Sequence, residues 1–219
     1  MKNLFSTSIG KKFAMAISAI FLMIFLLQHF IINITSVFSE DIFNMLSHFM
    51  GTNPLVQFIL QPILIAGVLF HFIMGFYLEI QNRKAAKYEY QKEKGSANST
   101  WMSRNMITSG LVILAFLVLH FIDFWVPEMN YKYIEFLPED PNRYYEELVH
   151  KFENPLRVAM YCISFVLLAL HLLHGFTSSL RSMGTNKSYV SSAKTAGIVY
   201  SIGIPLGFCV IAIFHYLNH

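Results

Sequence analysis

Nine histidines stand in a chain of 219 residues. Six of them, His29, His71, His120, His171, His174 and His215, lie within candidate membrane spans that contain no Asp, Glu, Lys or Arg. Imidazole is the commonest metal-ligating side chain, and ionisable groups deep in apolar surroundings are costly and usually functional. His71 precedes Arg83 by twelve residues, about 18 Å of helix, and His171 precedes Arg181 by ten, about 15 Å. His29 follows Lys12 by seventeen, about 26 Å, and His120 follows Arg104 by sixteen, about 24 Å. Four histidines from four segments thus sort into two levels, an inner pair His71/His171 and an outer pair His29/His120. Two imidazoles facing each other at one depth suit the two axial positions of a haem iron, each donating its other ring N–H to a nearby acceptor. Gly75 and Gly175, one turn beyond His71 and His171, remove a side chain where a macrocycle edge could approach; they serve close helix packing as well. Any single histidine reads equally as a neutral imidazole bonded to another helix, but the set of four favours two b-type haems. His171 and His174 could clasp a metal, yet no carboxylate accompanies them, and no CxxC or HExxH occurs. No intramembrane Ser–His–Asp set is available for a hydrolase either.

The elements that must position these residues follow from composition. The chain is 55% hydrophobic and only 13% charged, against about a quarter charged in soluble domains. Disorder, nucleic-acid binding and a disulfide-stapled secreted module are excluded. Five charge-free stretches, Phe13–Ser39, Leu55–Leu78, Asn105–Ile122, Val158–Leu180 and Thr195–His219, each suffice for the roughly 20 residues a membrane crossing needs, the third only just. Continuous apolarity without alternation excludes a barrel. The fold class is an all-α membrane protein, one domain over 1–219, with five transmembrane helices in a bundle. Twelve of the sixteen Lys/Arg fall in segments 1–12, 79–104 and 181–194, against three acids, whereas the other side keeps four basic residues and ten acids. The positive-inside rule then puts the N-terminus in the cytoplasm and the C-terminus outside. The first span is too long for a cleaved signal. The outer loop 123–157, with Pro127, Pro138, Pro141 and Pro155, predicts short surface helices or turns. Gly95–Thr100 reads as a flexible turn. No internal repeat is expected, Cys162 and Cys209 read as separate packing residues, and His215 and His219 read as outer headgroup residues.

The ordered landmarks resemble the cytochrome b membrane-anchor subunit of succinate dehydrogenase/fumarate reductase, in its single-anchor, five-helix, dihaem type. They are Gln28-His29-Phe30-Ile31-Ile32-Asn33, His48-Phe49-Met50, His71-Phe72-Ile73-Met74-Gly75, Ser109-Gly110 ahead of His120, and His171-Leu172-Leu173-His174-Gly175 closing at Met183-Gly184. The resemblance covers nearly the whole chain. It implies two haem b groups held between the first four helices, the distal iron by His29 and His120 and the proximal iron by His71 and His171. His174 also precedes Gly175 and is the rival to His171; the spacing to Gly184 and the depth of His71 favour His171, leaving His174 and Arg181 in the haem environment. The resemblance further implies flavoprotein and iron–sulfur partners on the cytoplasmic face, as in respiratory complex II. Electrons would pass from succinate through flavin, clusters and both haems to menaquinone as exchangeable substrate, or backwards to fumarate. The location implied is the bacterial cytoplasmic (inner) membrane, and the complex could assemble into a higher oligomer.

One departure bears on protons. Some fumarate reductases of this type carry a Glu two residues before the inner ligand of the fourth span, where this chain has Ala169. No acid is expected inside any span, so quinone chemistry at the outer side would exchange protons with the outside and be electrogenic. For the quinone site, Asp123, Trp125 and His48 lie at the right level. Asp123 follows His120 by three and shares its helix face; Trp125 reads equally as an interfacial anchor, and Glu40 and Asp41 read as solvated loop acids. The alternatives are a dihaem cytochrome serving another quinone-linked dehydrogenase and a haem-free transporter or anchor whose histidines merely pack.

Overall fold

A computed structural model describes residues 7–89 and 105–218. Lys2, Lys92, Glu93, Lys94, the Gly95–Thr100 turn, Arg104 and His219 lie outside the described residues. Among the described residues there is no β-strand. Five helices among the described residues are long and apolar enough to cross a bilayer: Ser8–Val37, Val56–Lys84, Met106–Tyr133, Pro155–Ser182 and Ser192–Leu217. The chain is therefore an all-helical, multi-pass membrane protein. Large apolar side chains such as Ile24, Leu69, Val118, Ile163 and Val210 are exposed along these helices, where lipid rather than protein would cover them.

Helix starts follow local capping chemistry. Thr7 accepts from Gly10 N at 3.0 Å. Asn154 accepts from Leu156 N at 2.9 Å and Arg157 N at 3.3 Å, with Pro155 in the first turn. Asn186 accepts from Ser188 N at 3.2 Å. Between the fourth and fifth spans Gly184 takes φ +77°, a conformation that costs a side-chain-bearing residue energy and glycine little.

The fourth span is central. The fifth packs along it, the first and third lie against it, and the second touches chiefly the first. Two shorter helices, Glu40–Thr52 and Arg143–Phe152, pack on each other at one end of the bundle. Asn44 Oδ1 accepts there from Tyr145 N at 2.8 Å. This capped end is the one the charge pattern expects outside, and "outer end" refers to it. The buried core lies toward it, with Phe152, Tyr161, Phe165, Phe208 and Ile211 interlocked, whereas the apolar stretch of the second span buries nothing inside the protein.

Two expectations change here. The third span does not end near Ile122; it passes through a π-turn, Phe121–Trp125, and continues to Tyr133. Asp123 is thereby carried inside a spanning helix at 2% exposure, contrary to the expectation that no span holds an acid. Charge counting stops a span at its first acid, but a carboxylate paired by a neighbouring helix can stay inside. The short surface helix expected in the outer loop is Arg143–Phe152.

Candidate functional site

His71 and His171 meet across the bundle with ring centroids 6.5 Å apart and planes at 65°. His29 and His120 meet at 5.8 Å and 86°. A metal–imidazole bond is about 2 Å and the ring centre lies about 1 Å behind its nitrogen, so trans imidazoles on one ion have centroids about 6 Å apart. Both pairs sit close to that value. A porphyrin supplies four of six positions on its iron, so a pair of donors is the set it requires. Among the described residues no group of three or more His, Cys, Asp or Glu could hold an ion by itself. The four histidines thus fit two bis-imidazole haem sites.

The inner pair is prepared for one tautomer. Ser18 Oγ donates to Met15 O at 2.8 Å and lies 3.0 Å from His71 Nδ1. Ser109 Oγ donates to Met106 O at 2.9 Å and lies 3.2 Å from His171 Nδ1. A hydroxyl has one proton. With that proton given to a carbonyl, each Oγ accepts from Nδ1–H, and Nε2 is left with a lone pair for a ligand. Gly110 stands beside this pair: a Cβ there would lie 3.9 Å from His171 Cε1. At Gly75 a Cβ would meet only Met15 Cε at 3.4 Å, and at Gly175 only Met106 Cε at 3.9 Å. Both glycines therefore face a flexible thioether.

This device occurs twice, which overturns the expectation of no internal repeat. Met15, Ser18, Phe25, Leu26, His29, Phe30 and Ile31 recur 91 residues on as Met106, Ser109, Phe116, Leu117, His120, Phe121 and Ile122. His71, Gly75 and Phe76 recur 100 residues on as His171, Gly175 and Phe176. Spans one and two repeat as spans three and four, and the same Met–Ser–His–Gly contacts form in each half. Ser18 is the histidine partner the sequence reading missed; the Met-x-x-Ser spacing ahead of both outer histidines was the signal.

The outer pair is held mainly by aromatic rings. Phe25 stacks on His29 at 5.5 Å, Phe208 lies 5.7 Å from it, and Phe116 and Phe124 flank His120 at 5.8 and 5.2 Å. His29 Nδ1 has Asn33 Nδ2 at 3.4 Å, a longer contact than either serine makes. His120 Nδ1 is buried with no hydrogen-bond partner among the described residues. One turn on, Asp123 accepts from Tyr161 OH at 2.8 Å and pairs with Arg157 Nη1 at 2.9 Å.

The remaining expected residues are scattered. His174 is half-buried and Arg181 exposed at the end of the fourth span. Trp125 rests on Phe121 at 5.9 Å with its Nε1 buried and without a hydrogen-bond partner among the described residues. His48 lies at the cap, 6.1 Å from the Tyr144 ring, lining a cavity of about 220 Å³ with Gln57, Tyr131 and Arg143. The three quinone candidates therefore occupy three settings. Glu40 and Asp41 are exposed, as expected, but in the first turn of the Glu40–Thr52 helix rather than in a loop. Arg143 lies between the rings of Tyr131 and Tyr144, at 4.0 and 4.4 Å, and pairs with Glu128 and Glu147. Burial opposes its charge, but the two carboxylates prevail and hold the guanidinium above its ordinary value. Burial and then Glu128 push the Tyr144 phenol up to about 12.

His215 is not a headgroup residue. It is fully buried, 2.9 Å from Ser36 Oγ through Nε2 and 5.5 Å from the Tyr145 ring, because the Arg143–Phe152 helix closes over it. Cys162 and Cys209 are not separate: Cys209 Sγ donates to Cys162 O at 3.9 Å across the fourth and fifth spans. No protein-family model matches the chain, and no curated protein or solved structure matches it.

Proposed function

We propose that this chain is the dihaem cytochrome b anchor of a succinate:quinone oxidoreductase or quinol:fumarate reductase. In this reading it passes electrons between a cytoplasmic iron–sulfur partner and menaquinone. One observation carries the reading: two histidine pairs at two depths, each at the spacing of trans imidazoles on one iron. The resemblance to that family draws further support from the order of the candidate ligands, one on each of spans one to four. When bound, haem supplies reversible one-electron chemistry. His71 and His171 would hold the inner iron and His29 and His120 the outer. Ser18 and Ser109 fix the inner imidazoles in the tautomer that leaves Nε2 free, and Phe25, Phe116, Phe124 and Phe208 exclude water around the outer pair. Orientation follows the positive-inside bias, so the inner pair faces the soluble partners and the outer pair the quinone. The subunit makes no bond change in succinate.

The test is a dithionite-reduced minus oxidised absorption spectrum of the purified chain, with haem counted per polypeptide. Two b-type haems per chain are expected. One haem would make one histidine level a false pairing. None, in protein made with ample haem, would overturn the reading and leave a haem-free transporter or anchor.

A further inference from the structure

The two halves of the repeat differ beside the outer pair. Where the first half has Ile32, three residues after His29, the second has Asp123, three residues after His120. Asp123 is 2% exposed, lies in a π-turn and sits inside a spanning helix. Single π-turns within helices often mark functional positions, and a carboxylate in such a place is expensive unless paired. It is paired twice, by Arg157 at 2.9 Å and Tyr161 at 2.8 Å, both on the fourth span. Tyr161 is 2% exposed, and its ring lies 6.4 Å from that of His120 and 4.9 Å from Phe116. Phe116 in turn lies 5.8 Å from His120. One bridge, buried at Asp123 and Tyr161 and part-exposed at Arg157, therefore ties the turn that follows His120 to the ring that packs against it. The inner pair has no counterpart, because its imidazoles are oriented by serine hydroxyls.

Resting on the dihaem reading, we infer that the Arg157–Asp123–Tyr161 bridge is a positioning device for His120. It fixes the plane of that imidazole against His29 in place of a hydrogen bond to Nδ1. Fold stability alone does not require this arrangement, since an apolar side chain in place of Asp123 would avoid the desolvation that a buried carboxylate suffers.

The test uses the full chain with haem bound, and reads the low-spin EPR signal and midpoint potential of each haem. The anisotropy of the EPR signal reports the angle between the two axial imidazole planes. Asp123→Asn and Tyr161→Phe are expected to change the outer haem's signal and potential, or to lose that haem alone, with the inner haem unchanged. Arg157→Lys, which keeps the charge, is expected to stay close to wild type. Tyr161→Phe carries the test if Asp123→Asn fails to fold. A wild-type chain with two haems whose outer signal ignores Asp123→Asn and Tyr161→Phe overturns the inference alone, as does loss of both haems in equal measure. A wild-type chain without haem overturns the functional reading and the inference with it.

Discussion

The inner and outer histidine pairs solve the same geometric problem by different means. At the inner level the two halves of the repeat act alike: a serine anchored to a methionine carbonyl accepts from each Nδ1, at 3.0 and 3.2 Å. At the outer level the halves diverge. His29 has a long Asn33 contact and a stacked phenylalanine, while His120 has no hydrogen-bond partner on Nδ1 among the described residues but has the ion pair of the buried Asp123 one turn away. The difference teaches that ligand orientation can be set by hydrogen bonding or by packing, and that the two should respond differently to substitution. The inner pair depends on single polar atoms, the outer pair on the shape and charge of its surroundings.

Under the dihaem proposal, the largest break in that comparison comes from the histidines themselves. His71→Ala should leave one haem per chain, the outer, and His120→Ala should leave only the inner; haem stoichiometry with redox titration checks both. Equal loss of both haems in each variant would mean that the two levels are not independent sites.

Next come the serines. Removing an outer-shell partner of a ligating histidine weakens metal binding by about 10- to 100-fold. Ser18→Ala and Ser109→Ala should each weaken inner-haem retention on that scale, measured by haem loss to an acceptor protein, without touching the outer haem. Asn33→Ala should act less on the outer haem, because Asn33 Nδ2 is itself a donor, donates to His29 O at 2.8 Å and lies 3.4 Å from His29 Nδ1.

A smaller effect belongs to the bond between the first and fifth spans. Ser36→Ala takes away a bond to His215 Nε2, and loss of a buried partner costs about 1–3 kcal/mol. It should lower the thermal midpoint in detergent while leaving both haem spectra intact.

The smallest is an alkaline effect at the cap. The Tyr144 phenol is raised from 10 to about 12, so the folded chain holds a proton that the unfolded chain releases sooner. The stability this contributes is fully present below pH 10 and is lost as pH rises through 12. The difference in thermal midpoint between wild type and Tyr144→Phe should therefore shrink or reverse between those values. A constant difference across the range would count against this assignment.

Much of this was legible in the residues, because apolar length and histidine depth are one-dimensional quantities. A helix converts residue count into distance, so His71 with His171 and His29 with His120 could be matched from spacing alone. Legibility failed where a partner came from elsewhere in the chain. Asp123 looked like the end of a span because Arg157 and Tyr161, which hold it inside, are 34 and 38 residues away in sequence. His215 looked like a headgroup residue because its cover, Tyr145, belongs to a loop helix. The repeat was hidden because its two helices recur at different offsets, 91 and 100 residues, the connections between spans differing in length.

By itself, then, the sequence determined an all-helical membrane protein with five apolar helices and four histidines at two depths, since hydrophobic length and helical rise are properties of single segments. The tertiary structure alone decided the rest: that Ser18 and Ser109 hold the inner imidazoles, that Asp123 is bridged beside His120, and that His215 and the two cysteines are brought to their neighbours. Each of these depends on how helices rotate and pack against one another, and that is settled by contacts summed over the whole bundle.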